Sequence, residues 1–249
     1  MRRVDVTGGN LTLFDYCTAG PQFASGGFIA DSRTGFVING SQQQYIVRNS
    51  SIGGWSNAVW NQVFAGVQGA PAQTFPSPPY TTLATTPVSR EKPYLYVDAE
   101  GTYNVFVPDA RTDTSGTTWE TGPTAGESIP LSDFFLARPS DSVKTINMEL
   151  ARGKHLLLTP GVYDVDRSIS IKRSDTVVLG LGVATLTAVD GAVPMRVADV
   201  KGVDVAGLMI DAGTVNSPLL LQVGTPHGTK SDPSNPTTLH DVFFRIGGP

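Results

Sequence analysis

Short hydrophobic runs, each broken by glycine or a polar residue, dominate the pattern of the second half of the chain. The stretch from Val177 to Gly213 reads VVLGLGVATLTAVDGAVPMRVADVKGVDVAGLMIDAG. An amphipathic helix would place apolar residues at i, i+3, i+4 and i+7. The apolar residues instead fall in runs of three or four that end at Gly, Asp or Lys-Gly: Val177–Leu179, Ala184–Thr187, Met195–Val197, Val203–Val205 and Leu208–Ile210. The pattern therefore predicts short β-strands.

These predicted strands recur at a regular spacing. Leu157 precedes Val178 by 21 positions, and Leu220 precedes Phe244 by 24. Such spacing is typical of solenoids, in which a coil buries its apolar face only by stacking on its neighbours. We therefore predict an all-β protein, a right-handed parallel β-helix. A β-sandwich is the alternative, although its strands usually alternate apolar and polar positions.

The first part of the chain has a similar pattern of short apolar runs. Strand-like runs separated by Gly-Gly pairs are found at Leu11–Leu13, Gly27–Ala30, Phe36–Ile38, Tyr45–Val47 and Val59–Phe64. Because the two ends of the chain share this pattern, we predict two partial solenoid halves.

The middle of the chain differs from both halves. Six prolines between Pro71 and Pro93 predict an extended connection, because proline is poorly compatible with helix. A β-hairpin is predicted from Pro93–Asp98 and Tyr103–Pro108, and a loop from Arg111 to Glu127. We thus expect a Pro-rich linker with a hairpin between the halves.

One short capping helix is predicted at Ser142–Arg152, with Ser140 or Asp141 as its N-cap and Gly153 just past its end. The predicted division is residues 1–70 for the end of a first β-helix, 71–128 for the linker with its hairpin, and 129–249 for the start of a second β-helix.

Composition and charge exclude several classes of function. The net charge of −4 gives no basic surface for nucleic acid, and no apolar run reaches the roughly 18 residues of a membrane span. Cys17 is the only cysteine, so an intramolecular disulfide or a cysteine metal cluster is ruled out. We expect no metal, no cofactor, and neither nucleic acid nor membrane as a partner.

Both ends of the sequence have strand-like texture. We expect an internal piece of a longer protein, or self-association through uncapped β-helix ends, because an uncovered coil exposes apolar residues and strand edges. The first residues contain no signal peptide.

Two stretches resemble a known family. They are GSQQQYIVRNSSIGGWSNAVWNQVFAGVQGAP, from Gly40 to Pro71, and DSVKTINMELARGKHLLLTPGVYDVDRSISIKRSDTVVLGLGVATLTA, from Asp141 to Ala188. Together they resemble the exo-β-1,3-glucanases of glycoside hydrolase family 55, within the pectate-lyase superfamily. The resemblance implies a secreted protein with two tandem β-helices and a substrate cleft between them.

The resemblance also implies an inverting hydrolysis of β-1,3-glucan or a related polysaccharide. In such a reaction one carboxylic acid protonates the leaving oxygen while a water attacks from the opposite face of the sugar. The family's acid comes from the middle of the second β-helix, which is expected to lie beyond Pro249. Polar residues that hold the water are expected between Gln42 and Ser50.

Gln43, Gln44 and Ser50 are the candidates for positioning that water. Since side chains alternate along a strand, Gln43 should face opposite to Gln42 and Gln44. The alternative is a stacked ladder of amides at a turn of the coil.

Trp55, Trp60, Arg48 and Asn61 are the candidates for binding the sugar. An aromatic ring can stack on the C–H face of a pyranose, and Trp55 is expected to be exposed beside Gly53-Gly54. For Trp60, which lies inside the run Val59–Val63, core packing is favoured over a sugar contact, and for Arg48 a structural hydrogen bond is favoured.

The carboxylates and histidines give no clear second site. Turn roles are predicted for Asp190, Asp199, Asp204 and Asp211, and His155 is expected to be structural. A non-catalytic polysaccharide-binding or assembly module remains an alternative function, as does a polysaccharide lyase, because fold alone does not set function.

Overall fold

The computed structural model describes residues 1–14, 26–40, 44–230 and 232–247. It divides the chain into two compact units. Unit 1 comprises Met1–Ser89 and Arg111–Ala125, and unit 2 comprises Arg90–Ala110 and Gly126–Pro249. The chain therefore passes from unit 1 to unit 2, returns once, and passes to unit 2 again. The predicted division near residues 70 and 129 stays a prediction.

Strands supply most of the regular structure. In the first part of the chain they are β1 (Leu11–Thr12), β2 (Gly26–Ala30), β3 (Arg33–Ile38), β4 (Gln44–Arg48), β5 (Ser51–Ser56), β6 (Gln62–Ala65), β7 (Tyr80–Leu83), β8 (Thr86–Ser89), β9 (Tyr94–Val97), β10 (Tyr103–Pro108), β11 (Arg111–Thr114) and β12 (Gly126–Pro130). The later ones are β13 (Phe134–Ala137), β14 (His155–Leu158), β15 (Val162–Val165), β16 (Ile169–Ile171), β17 (Val177–Ala188), β18 (Met195–Val197), β19 (Asp204–Asp211), β20 (Leu221–Val223) and β21 (Thr238–Arg245).

Parallel pairing organises unit 1. One sheet has the order β2-β4-β6-β7 and another the order β1-β3-β5, and all their pairs are parallel. Ile29, Val47 and Phe64 lie on the inner side of the first sheet and are fully buried. The inner residues of successive strands therefore stack on one another and form the core of the unit.

Unit 2 repeats this arrangement at larger scale. Strands β13-β14-β17-β19-β21 form one parallel sheet, which β15 extends, and β16-β18-β20 form another. Leu156, Val178, Val205 and Leu239 occupy matching register positions in four successive strands. The prediction of recurring short strands is confirmed, and the parallel pairing excludes an antiparallel sandwich for these strands.

A three-stranded antiparallel sheet, β9-β10-β12, adds to unit 2. The predicted hairpin is confirmed, with Asn104 opposite Tyr96 and Phe106 opposite Tyr94. The predicted loop from Arg111 to Glu127 is wrong at both ends, because β11 pairs with β8 and β12 begins at Gly126. Threonines favour extended backbone, and a neighbouring strand supplies the hydrogen bonds that make it a strand.

The predicted helix is confirmed as α1, Val143–Ala151. Its N-cap is Ser142, whose Oγ accepts a hydrogen bond from the Thr145 backbone N–H at 3.1 Å, rather than Ser140 or Asp141. The Asp141 carboxylate instead accepts from the Arg138 N–H at 2.7 Å. Leu150 and two other apolar residues of α1 are buried against the main core of unit 2. A 3₁₀ turn spans Leu131–Asp133.

Among the described residues, no helix is long and apolar enough to cross a membrane.

Candidate functional site

The outer face of the sheet β2-β4-β6-β7 gathers three of the predicted site residues. In β4, Tyr45 and Val47 point to the core, so Gln44, Ile46 and Arg48 alternate to the opposite side. The register Ile46–Val63 then brings Asn61, two residues before Val63, beside the start of β4. We call this side of unit 1 the outer face; it carries Phe28, Gln44, Ile46, Arg48, Asn61, Val63 and Thr81.

Hydrogen-bonding side chains cross the outer face in a row. Gln44 and Asn61 are both exposed. The hydroxyl of Thr81 donates to Oδ1 of Asn61 at 2.8 Å, which fixes the orientation of that amide and leaves its N–H₂ group pointing away. Exposed amides of this kind both donate and accept, and so suit the hydroxyl groups of a sugar.

Arg48 lies at the far end of the same strand. Its guanidinium stands 5.6 Å from the ring centroid of Phe28, and the guanidinium of Arg2 stands 4.5 Å from the same ring. These cation–π contacts hold the two arginines close to the outer face. Arg48 thus has a structural contact, and its sugar-binding role stays a prediction.

The side chain of Trp55 lies under the outer face rather than on it. It is only 7% exposed, and its ring makes edge contacts with Tyr45 at 5.7 Å and Phe64 at 5.2 Å. The expectation that Trp55 is exposed is wrong. Trp55 pairs with the buried Val37 of β3, so strand alternation turns its ring into the core despite the neighbouring glycines.

Trp60 is the opposite case. It is 51% exposed and lies next to Asn61 in the chain, so the predicted core packing of Trp60 is wrong. β6 begins only at Gln62, and the residues before it belong to a connection whose side chains are open to solvent. Among the described residues, Trp60 is therefore the tryptophan whose side chain is about half exposed.

Gln62 contributes a feature that the sequence interpretation missed. Its amide is fully buried; Oε1 accepts from the Tyr45 N–H at 3.1 Å, and Nε2 donates to the carbonyl of Trp60 at 2.9 Å. It ties β4 to the segment that presents Trp60. Counting alternate positions back from Phe64 would have placed Gln62 on the inner side and revealed this role.

The three candidates for positioning the water do not lie together. Gln43 lies outside the described residues, and Gln44 is on the outer face. Ser50 is fully buried, where its hydroxyl donates to the Arg48 carbonyl at 2.9 Å and accepts from the Ser32 N–H at 3.2 Å. Ser50 thus closes a turn between adjacent strands.

The buried carboxylate of unit 1 has a structural role. Asp31 accepts hydrogen bonds from the Thr118 N–H at 2.6 Å and from its hydroxyl at 2.9 Å, and it pairs with Arg3 at 3.1 Å. With both oxygens engaged, it holds the segment Arg111–Ala125 against the rest of unit 1.

Asp204 of unit 2 has the most altered acidity. It is 1% exposed; one oxygen accepts from the hydroxyl of Thr238 and the other lies 3.4 Å from Arg90. Burial raises the pKa of Asp204 to about 6, partly offset by the Thr238 hydrogen bond and the charge of Arg90. A general acid must reach the leaving oxygen, and this enclosed carboxyl has no oxygen available for that.

Asp211 and His155 fit structural roles too. Asp211, also buried, is bound by the guanidinium of Arg245. Nδ1 of His155 accepts from the Val177 N–H at 3.0 Å, and burial, helped by Arg173, lowers the pKa of His155, which favours the neutral ring. Within the described parts of the chain, no group of three or more metal-ligating side chains comes together.

These features define an all-β protein of stacked parallel strands with exposed amides on one sheet face, a class that includes many carbohydrate-active proteins. The model of the LAM55 pectate lyase-like domain matches residues 134–249. The resemblance to the exo-β-1,3-glucanases of glycoside hydrolase family 55 is thereby confirmed.

A relative from Streptomyces sp. (strain SirexAA-E / ActE), an exo-beta-1,3-glucanase, is 53% identical over 249 residues. The structure of sacteLam55A from Streptomyces sp. SirexAA-E superimposes with a TM-score of 0.94 at 52% identity, covering 99% of this chain and 44% of the other. A second structure, of a glutamate-to-alanine variant of sacteLam55A in complex with glucose, gives a TM-score of 0.92. The chain spans 40% of the length of that Streptomyces relative.

Proposed function

We propose that this chain is part of a secreted glycoside hydrolase that acts on β-1,3-glucan by inverting acid/base hydrolysis. The observation that carries the proposal is the 53% identity to an exo-beta-1,3-glucanase, which extends along 99% of the chain. The exposed amides of Gln44 and Asn61 on the outer face of unit 1 support a sugar as ligand, because an amide both donates to and accepts from hydroxyl groups.

The proposal includes the finer architecture. Parallel pairing within each unit, with inner residues stacked from strand to strand, is the arrangement expected of right-handed parallel β-helix coils. We place the end of one β-helix in residues 1–70 and the start of another in residues 129–249, joined by the segment 71–128.

In the proposed chemistry this chain binds the sugar and orients the attacking water. Gln44, with Gln43, would hold the water, while Asn61, Arg48 and Trp60 would bind the sugar ring and its hydroxyl groups. Trp55 would support them from beneath through Tyr45 and Phe64. Other side chains already bind Asp31, Asp204 and Asp211. We therefore assign the proton transfer to none of these three carboxylates.

The experiment measures binding and hydrolysis together. Laminari-oligosaccharides are titrated into the protein by calorimetry, and hydrolysis is followed by NMR, where inversion at a β-linkage releases the α-anomer first. Gln44→Ala and Asn61→Ala are each expected to weaken binding by about tenfold, as for loss of a hydrogen bond or two to the ligand. Asn216→Ala, which removes an exposed amide of unit 2, is the matched control.

Equal binding by all three variants and the wild type would overturn the assignment of the outer face. Release of the β-anomer first would replace inversion with retention.

A non-catalytic glucan-binding module is the second candidate, favoured by the engagement of the buried carboxylates Asp31, Asp204 and Asp211. Binding without any release of sugar by the longer protein of which this chain is proposed to be part would select it. A product with a new carbon–carbon double bond would indicate a polysaccharide lyase instead.

A further inference from the structure

The antiparallel sheet β9-β10-β12 of unit 2 has two faces of different character. Val105 and Val107 of β10, with Leu95 of β9 and Ile129 of β12, pack on a core that contains Leu157 and other residues of the parallel strands. This inner face explains why the sheet attaches to unit 2. Its other face is not needed for that attachment.

Three aromatic rings make up most of that other face. Phe106 pairs directly with Tyr94 across the strands, with ring centroids 5.5 Å apart and an angle of 35° between the rings. Tyr96 follows Tyr94 on the same side, with centroids 6.2 Å apart. All three rings are partly exposed. Sheet faces in contact with water usually carry polar residues, so three adjacent aromatic rings call for a functional explanation.

Gly126 lets the Phe106 ring lie close to the sheet. A Cβ atom added at Gly126 would stand 2.8 Å from the Phe106 ring and 2.4 Å from the carbonyl oxygen of Val107. Only glycine therefore fits under this ring. The Phe106 ring is therefore held close against β12, and the Tyr94 ring is tilted by 35° from it and by 60° from the Tyr96 ring.

Hydrogen-bonding groups border the rings. The hydroxyls of Tyr96 and Ser128 lie 2.8 Å apart, and the Asn104 amide donates to Asp98 at 2.8 Å. We call Tyr94, Tyr96, Asn104, Phe106 and Ser128 the aromatic face. The other residues that the strand register places on this side are Pro108, Gly126 and Pro130, so none of the paired positions of the face carries a charge.

We propose that the aromatic face is a second carbohydrate-binding surface, which takes pyranose rings of a long β-glucan chain at a place separate from the outer face of unit 1. This inference rests on the proposed function for the identity of the glucan. The C–H side of a pyranose stacks on aromatic rings, and the bordering hydroxyls of Tyr96 and Ser128 match sugar hydroxyls. A neutral polymer suits the rings of Tyr94, Tyr96 and Phe106, because none of the paired positions of the face carries a charge.

Long glucan chains are expected to gain most from the aromatic face. Several rings of a long chain can contact the aromatic face of unit 2 at once, whereas we expect laminaritriose to bind at the outer face of unit 1. The aromatic face should therefore affect the binding of long chains and leave that of short oligosaccharides unchanged.

The test uses the full chain with Tyr94→Ala and Tyr96→Ala, singly and together. Retention on insoluble long-chain β-1,3-glucan and on cellulose is measured beside calorimetric binding of laminaritriose. We expect the double variant to bind the insoluble glucan about threefold to tenfold more weakly, the range for loss of aromatic contacts, with unchanged laminaritriose binding.

Two further variants control for loss of fold. Tyr96→Phe keeps the ring and removes only the hydroxyl, and it should bind nearly as the wild type does. Tyr103→Ala removes a tyrosine that is 54% exposed on β10 but lies at an alternate position, so it should have no effect. Circular dichroism and the midpoint of urea unfolding are compared for all variants.

Wild-type retention by the double variant would overturn the inference while leaving the proposed function intact. Loss of retention in the double variant, with no sugar released by any form of the protein, would support the aromatic face and count against hydrolysis. No retention of the wild-type chain on glucan would overturn the inference as well. A change in oligomeric state in place of a change in retention would assign the face to a second copy of the chain.

Discussion

At the scale of single residues, Trp55 and Trp60 show that residue type and neighbouring glycines are a poor guide to exposure. Trp55 follows Gly53-Gly54 yet lies in the core, whereas Trp60 sits in an apolar run yet is open to solvent. Successive side chains of a strand point to opposite faces of the sheet, so whether a residue is buried depends on its position counted from the start of the strand.

Replacing the two tryptophans should therefore have very different costs. Trp55→Ala removes a ring packed between Tyr45 and Phe64 and should lower the free energy of unfolding by about 3 to 5 kcal/mol. Trp60→Ala should change it by less than about 0.5 kcal/mol. Urea unfolding of both variants, followed by circular dichroism, checks the difference; equal losses would contradict the burial of Trp55.

Asp204 should make the stability of the protein depend on pH. Its pKa rises from the ordinary value of 3.8 to about 6 on folding, so the folded state favours the protonated form. Its contribution is then complete below pH 3.8 and is lost as the pH rises through 6. A difference of about two pH units corresponds to about 3 kcal/mol.

Asp204→Asn should remove that dependence, because an amide does not titrate. Unfolding free energies are measured at about pH 4.5, which lies between the unfolded and folded pKa values, and at about pH 7.5, which lies above both. The wild type should lose more stability between these two pH values than the variant does. Parallel pH dependence in the two proteins would show that the charge of Asp204 is fully compensated by Arg90.

At the scale of elements, α1 shows the limit of reading caps from sequence. Ser140, Asp141 and Ser142 stand side by side, and all three residue types make good N-caps. The structure selects Ser142 because Asp141 is used by the turn that precedes the helix, where it accepts from Arg138.

Ser142→Ala should therefore destabilise unit 2 by about 1 kcal/mol, the usual cost of a lost N-cap. Ser140→Ala, a matched change at an exposed position two residues earlier, should be neutral. Thermal unfolding of the two variants side by side is the measurement, and a larger effect at Ser140 would contradict the observed cap.

At the scale of the whole molecule, the chain is not divided into consecutive pieces. The segment Arg90–Ala110 belongs to unit 2 although Arg111–Ala125, which follows it, belongs to unit 1. The hairpin β9-β10 covers a core of unit 2 through Val105 and Leu95. A cut after the hairpin would therefore expose buried apolar residues.

Two fragments test this interleaving. A fragment of residues 126–249 lacks the hairpin and leaves one core open, in which Leu157, Val177, Leu179 and Ala206 are packed. It should bind the dye ANS and unfold without a sharp transition, whereas a fragment of residues 90–249 should unfold cooperatively. Equal ANS binding by the two fragments would show that the hairpin is dispensable.

The sequence by itself determined the short strands, their recurrence, the hairpin at Tyr94–Val97 and Tyr103–Pro108, and the helix at Val143–Ala151, because period, turn residues and helix-end signals are local. It also determined the similarity to the β-1,3-glucanases. Only the tertiary structure decided that Trp55 is inside and Trp60 outside, that Gln62 bridges two strands, and that Tyr94, Tyr96 and Phe106 share one face. These outcomes depend on strand register between segments far apart in the chain, and register is set by which residues meet when the strands stack.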